Sequence, residues 1–234
     1  MQNKTVCIIP ARGGSKRIPR KNIKAFCGKP IIAYSIEAAI ESGLFDEVMV
    51  STDDTEIADI AQQYGASVPF IRSEKNANDY ATTIDVIDEV LDAYEANGQH
   101  FDLACCIYAT APFVSTSLLN AAHKKLISEA LDCVFPAVEY SYPVQRALIQ
   151  NKEGKITMRE PKYQLTRSQD LEKIYHDVGI FYFTKTKAIA LKRQLWTDNT
   201  SIIELKETET QDIDTLEDWA IAEMKFKLLN DPKT

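Results

Sequence analysis

The sequence predicts an α/β fold in which a mostly parallel sheet carries helices on both faces. Three observations predict it. Short apolar runs alternate with stretches of helical period from residue 5 to residue 138. Glycines stand where helices must stop, as at Gly43 and Gly65. A basic loop containing glycines, residues 12–21, leaves the end of the first apolar run, where open sheets of this kind bind ligands.

Residues 5–9 form the first strand. Residues 30–42 carry Ile31, Ala33, Tyr34, Ile36, Ala38, Ala39 and Ile40 as the apolar side of a helix. Residues 47–51 are a short buried strand. Residues 53–64 are a helix with Ile57, Ile60, Ala61 and Tyr64 on one face, and residues 67–71 read as the next strand. Residues 84–97 repeat the helical period, 103–108 form a strand too apolar to be exposed, 116–129 a helix and 133–138 a strand. Beyond Tyr140 the pattern changes. Residues 142–167 are polar, irregular and weakly strand-like, broken by Gly154 and Pro161, and read as a lid or a dimerisation arm. Residues 179–183 return as a strong strand. Residues 202–204 form a last strand, followed by Asp212-Ile213-Asp214 and a helix through Trp219, Ala222, Phe226 and Leu229. There is no internal repeat. A length of 234 residues fits a single domain, 1–234, with residues 141–170 as an insertion.

Hydrophobic residues at 45% and charged residues at 26% are ordinary for a soluble globular protein. A net charge of −7 argues against nucleic acid or an anionic membrane as partner, so the basic cluster near the N-terminus is a local feature. The five cysteines form no Cys-x-x-Cys pair, and Cys7, Cys105, Cys106 and Cys133 lie in apolar runs, which fits a reducing compartment. Residues 1–4 are polar and lead straight into a strand, leaving no room for a signal peptide, and no apolar run is long enough to span a bilayer. A cytoplasmic protein is expected.

The loop Arg12-Gly13-Gly14-Ser15-Lys16, with Lys21 and Asn22 close behind, combines glycines with cations. Glycine lets backbone amides approach a ligand closely, and converging amides with cations suit phosphate. The spacing is neither that of a P-loop nor that of a dinucleotide fingerprint. It suits an extended triphosphate. Asp212 and Asp214 are two residues apart, so in extended chain both carboxylates face one side while Ile213 packs inward. Two readings of this pair stay open. The carboxylates suit Mg²⁺, whose shell is completed by phosphate and water. Alternatively, Asp214 and Glu217 cap the helix that follows. Arg72 and the segment Asp79-Tyr80-Ala81-Thr82-Thr83 can recognise a ribose or a base edge, or Asp79 or Thr82 can simply cap a helix. Arg167, with His176-Asp177 further on, suits a carboxylate-bearing substrate or is a surface arginine. The loop and Thr110-Ala111-Pro112 should face each other across a cleft.

These residues together resemble the cytidylyltransferases that activate nine-carbon acidic sugars. The resemblance covers nearly the whole chain through residues 11–16 with Lys21-Asn22, Val50-Ser51-Thr52-Asp53, Thr110-Ala111-Pro112 and Asp212-Ile213-Asp214-Thr215. Within the family, residues 16–22 and 108–113 are most similar to the branch acting on pseudaminic acid. Sialic acid enzymes usually carry Gly at Arg17 and Gln-Pro-Thr-Ser-Pro at residues 108–112, so Tyr108 suggests a sugar with a less polar face.

The resemblance implies a Rossmann-like nucleotidyltransferase fold of the GT-A kind, a three-layer sandwich with a small inserted dimerisation arm, and a homodimer. It implies that CMP passes from CTP to a nonulosonic acid, with Mg²⁺ (or Mn²⁺) as cofactor. Arg12 and Lys21 become the catalytic cations. Ala11, Arg12, Gly13, Gly14, Ser15, Lys16, Asn22, Arg72, Ala81 and Thr83 become the nucleotide site. Tyr108 and Arg167 become sugar contacts, and Asp212 and Asp214 the metal ligands. The alternatives are a synthetase for N-acetylneuraminate or a related acidic sugar, and a non-catalytic nucleotide-binding module.

Overall fold

Side chains alternate across a strand, and the first strand, β1 (Thr5–Pro10), shows what that requires here. Cys7 and Ile9 join one buried cluster, and Val6 and Ile8 join another on the opposite face. A strand apolar on both sides needs a helix over each face. The computed structural model, which describes residues 3–230, supplies them. In chain order, a small hairpin, β2 (Ala25–Phe26) and β3 (Lys29–Pro30), precedes α1 (Ile31–Ser42) and β4 (Glu47–Ser51). Then come α2 (Thr55–Gln63), α3 (Glu74–Ala77), α4 (Thr83–Ala96), β5 (Leu103–Ile107), α5 (Thr116–Ser128) and β6 (Cys133–Glu139). A second hairpin, β7 (Leu148–Gln150) with β8 (Ile156–Met158), lies between β6 and β9 (Tyr175–Asp177). The chain ends with β10 (Phe181–Lys185), α6 (Thr186–Lys192), β11 (Thr200–Leu205) and α7 (Leu216–Leu229).

The main sheet has the order β11-β6-β10-β5-β1-β4, with β9 also paired to β6. β1 runs parallel to β4 and β5, and β11 parallel to β6; β10 is antiparallel to both β5 and β6. The strands β4, β1, β5, β6 and β11 therefore end at one edge, as the mostly parallel reading requires. Residues from α1, α2 and α5 (Ile32, Ile36, Ile57, Ala61, Leu119, Leu126) fill one face; Ile87, Val90 and Tyr94 of α4 and Ile189 of α6 fill the other. Burying one such isoleucine contributes about 1.5–3 kcal/mol.

The strand expected at residues 67–71 is not formed. It is reduced to a single bridge, Met49 to Ser67. Pro69 has no amide proton to extend a ladder, and the chain instead turns so that Arg72 N–H donates to Thr52 O at 2.9 Å. Among the described residues all five cysteines are free thiols, and no helix is long and apolar enough to cross a membrane.

A third cluster decides the site. Ile18, from the basic loop, packs with Phe26, Ile31, Ile213, Trp219 and Ala222. Phe26 is met edge-on by Tyr34, Trp219 and Phe226 at 5.4–5.7 Å. Ile18 and Ile213, almost 200 positions apart, share one apolar pocket, so the polar residues flanking each are brought side by side.

Candidate active site

The loop after β1 is held from several directions. Ala11 is buried, and its amide donates to Ser51 O at 2.9 Å. The Gly13 amide donates to Asp53 Oδ1 at 2.9 Å. A Cβ at Gly13 would stand 2.7 Å from Asp54 Oδ2, so only glycine fits. Asp54 caps α2 by accepting from Ile57 N–H and also grips the Arg20 guanidinium at 2.5 and 3.0 Å. That pairing holds the Asp54 carboxyl below the usual range and raises Arg20, with the hydrogen bond between them the largest cause for each. Arg20 has φ of 55°, a left-handed conformation unfavourable for a side chain of its size, and its ion pairs hold it there. Asn22 Nδ2 donates to Arg12 O at 2.9 Å.

One expectation changes here. The amides of Ala11 and Gly13 are committed to Ser51 and Asp53, and that of Ser15 to Gly13 O at 3.1 Å, so they do not converge on a ligand. The amides of Arg12, Gly14, Lys16, Arg17, Ile18 and Arg20 are left without a partner among the described residues.

Beside this loop lies a cavity of about 310 Å³. Arg12, Ser15, Lys16, Lys21 and Asn22 line it from the loop, and Arg72, Ala81, Thr83, Tyr108 and Thr110 from the opposite side. The loop and the Thr110 segment thus face each other across a cleft. Arg72 is 6% exposed; its Nε donates to Ser51 Oγ at 3.0 Å and its Nη2 to Ser51 O. Burial lowers the Arg72 pKa. A residue absent from the expected set, Asp79, pairs with Arg12 at 2.8 Å and with Lys16. Its carboxyl is held low, chiefly by the Lys16 hydrogen bond. No sequence signal singled it out from a helix cap. The cap of α4 is Thr82, in a reciprocal box with Asp85.

The acidic pair sits at the loop's base. Ile213 is 1% exposed, which turns Asp212 and Asp214 outward together. Lys21 Nζ donates to Ile213 O at 2.7 Å and stands 3.9 Å from Asp214, and Arg17 pairs with Asp214 at 2.7 Å. Burial lowers the Lys21 pKa; burial and then the Asp214 charge raise Asp212. The capping alternative fails. Thr215 is the N-cap of α7 and Asp218 its partner, so Asp214 and Glu217 cap nothing. Asp212 has no ion pair among the described residues, and the pair is not part of any cluster of three potential ligands. Two outward carboxylates, one of them without a cation, fit a divalent ion that takes phosphate and water for the rest of its shell.

Arg167 is not brought to the cavity. It is exposed in the segment after the second hairpin and forks onto Asp170 at 2.7 and 3.1 Å, three residues along its own chain. His176 lies on the strand β9, its Nδ1 3.0 Å from Asp177 O. Tyr108 does line the cavity, and burial raises its pKa to about 12.

The family model described as Cytidylyltransferase matches residues 6–229. The chain is 44% identical to the pseudaminic acid cytidylyltransferase of Campylobacter jejuni over 96% of this chain and 97% of the relative. It is 33% identical to the CMP-N,N'-diacetyllegionaminic acid synthase of Legionella pneumophila, covering 95% of this chain and 96% of that one. Among solved structures, CMP:2-keto-3-deoxy-manno-octonic acid synthetase complexed with CTP superposes with a TM-score of 0.69 at 20% identity, covering 97% of this chain and 99% of that one. At that identity the likeness bears on the fold alone. The fold is that of the Rossmann-like nucleotidyltransferases.

Proposed function

We infer that this chain, which belongs to the cytidylyltransferase family, transfers CMP from CTP to the anomeric hydroxyl of a nonulosonic acid, pseudaminic acid, and releases pyrophosphate. It is a CTP-dependent nucleotidyltransferase. One observation carries the assignment of the site: Lys21 Nζ reaches Ile213 O, 192 positions away, which sets the loop's cations against the Asp212–Asp214 pair.

Arg12 and Lys16 take the triphosphate by exchanging Asp79 for phosphate oxygens. Ion pairs this open to solvent are strongly screened, so the exchange costs little. The unpaired amides of Gly14, Lys16 and Arg17 add donors, while Ala11 and Gly13 shape the loop. Asn22, Arg72, Ala81 and Thr83 hold the nucleoside, and Tyr108 faces the sugar. The anomeric oxygen attacks the α-phosphorus as the bond to the departing pyrophosphate breaks. Arg12 and Lys21 offset the charge that grows on the α-phosphate and the leaving group. Asp212 and Asp214 would hold a divalent ion, Mg²⁺ or Mn²⁺, which when bound polarises phosphate oxygens and lowers the pKa of a nearby hydroxyl.

We assign residues 141–170 to contact with a second copy in a homodimer. Tyr142, Leu148, Ile149, Ile156 and Leu165 are exposed apolar groups there, and Arg167 would then serve the neighbouring site. Free thiols and a net charge of −7 support a cytoplasmic enzyme whose partners are CTP and an acidic sugar. The test is pyrophosphate release from CTP with Mg²⁺ and competing sugars. Preference for pseudaminic acid is expected. Preference for N-acetylneuraminic acid would reassign the substrate, and no release with any sugar would leave a nucleotide-binding module.

A further inference from the structure

The Arg17 side chain lines the cavity, and the reaction above gives it no part. Its Nη2 pairs with Asp214 Oδ1 at 2.7 Å, and among the described residues the guanidinium has no other ion pair or hydrogen bond. The neighbouring cations are held differently. Lys21 has only 19% of its side chain exposed, donates to Ile213 O, and meets the same Asp214 oxygen at 3.9 Å. Arg20 is clamped by Asp54 and Glu56, and Arg12 and Lys16 share Asp79. Arg17 has 65% of its side chain exposed, and its neighbour Ile18 is fixed in the apolar pocket. The backbone is therefore anchored beside Arg17, while its side chain turns on a single contact.

That contact falls on one of the two carboxylates that would hold the divalent ion. Mg²⁺ takes its oxygens at about 2.0–2.1 Å, and two cations drawn to one oxygen repel each other strongly at such range. With Arg17 on Asp214, only Asp212 stands without a cation, which is half of the pair. A guanidinium fork matches phosphate as well as carboxylate, and the loop that presents Arg17 is the one that takes the triphosphate. An incoming triphosphate thus offers Arg17 a replacement for Asp214.

Resting on the reading of this cavity as a site for CTP and a divalent ion, we propose that Arg17 gates the acidic pair. It covers Asp214 in the nucleotide-free protein and moves to the triphosphate, so the pair opens to the divalent ion as CTP binds. Each ligand then strengthens the binding of the other, because linkage between two sites is reciprocal. In the empty site the same contact keeps the Asp214 charge from repelling the nucleotide.

Arg17→Gln keeps the stem and removes the charge. Without sugar, Mn²⁺ binding to the nucleotide-free protein is followed by loss of the free-ion electron paramagnetic resonance signal, and CTP binding in EDTA by calorimetry. Arg17→Gln should bind Mn²⁺ about tenfold more tightly and metal-free CTP about tenfold more weakly than the unmodified protein. A merely structural role would weaken both. Lys16→Gln removes an equal charge from Asp79 rather than Asp214, and should leave Mn²⁺ affinity within about twofold at about 0.15 M salt. In an Asp214→Asn background, Arg17→Gln should no longer tighten Mn²⁺. Three results overturn the proposal while the reaction stands: Mn²⁺ bound no more tightly by Arg17→Gln, an equal gain in Lys16→Gln or in the Asp214→Asn background, or an unchanged affinity for metal-free CTP. Failure of the unmodified protein to release pyrophosphate from CTP overturns the reading of the site, and this proposal with it.

Discussion

Two excursions leave the same edge of the sheet, and they are held in opposite ways. The loop after β1 is bound by the rest of its own chain: Asp53 holds Gly13, Asp54 and Glu56 hold Arg20, and Ile18 is buried against Ile213. The segment after β6 mostly pairs with itself. Its hairpin strands β7 and β8 bond to each other and Arg167 bonds to Asp170, while Leu148, Ile149, Ile156 and Leu165 remain exposed. A few bonds tie it down, such as Gln145 Nε2 to Glu172 O at 2.8 Å. The difference teaches where each segment's function lies. A loop satisfied by its own core can present charges in fixed positions; a segment that leaves apolar surface open is shaped for another surface.

The contrast is broken most severely by removing what the loop presents or faces. Asp214→Ala should lower divalent-ion-dependent turnover by about a thousandfold. Its thermal unfolding should stay near that of the unmodified protein, because Thr215 and Asp218 cap α7 without it. Early melting of this variant would restore the capping explanation. Arg12→Ala removes a cation that acts most in the transition state and should reduce kcat by about a hundredfold. Near-normal turnover would detach the loop from the chemistry.

Arg20→Ala tests whether the loop's tether matters rather than its charges. Loss of the Asp54 clamp should raise the CTP KM by about tenfold, with a smaller change in kcat, as the loop loses its set position. The arm gives the opposite test. Leu165, 94% exposed in one chain, should tolerate Asp with less than about 0.5 kcal/mol change in chain stability. Sedimentation should nonetheless show the dimer dissociating at about tenfold higher protein concentration; an unaltered profile would remove the arm from the interface. The smallest effect belongs to Asp79→Asn. Freeing Arg12 and Lys16 from their counterion should lower the CTP KM by about two- to threefold at low salt, and the gain should vanish at high salt.

Much of this site is written in local pattern. Residues 12–22 announce themselves because glycines and cations follow an apolar strand within a few positions. Asp212 and Asp214 are legible because a two-residue spacing in extended chain has a known geometry. Asp79, Asp53 and the Arg20–Asp54 clamp left no such trace. Each is a contact between segments 34–67 residues apart, and an ion pair across such a distance imposes no period on either segment. The same applies to Tyr182, which read as part of an ordinary strand until the sheet order set it against Tyr108.

By itself the sequence determined the layer architecture, since strands apolar on two faces and helices apolar on one admit few packings. It also determined the chemistry offered, because residue types travel with the chain. Tertiary structure decided which of those groups meet. Antiparallel insertion of β10 between β5 and β6 put Tyr182 beside Tyr108. Burial of Ile18 with Ile213 joined phosphate loop to acidic pair. Capping by Thr215 in place of its neighbour left Asp214 available. These outcomes depend on packing between distant segments, where the free energy is set by shape and desolvation rather than by any local run of residues.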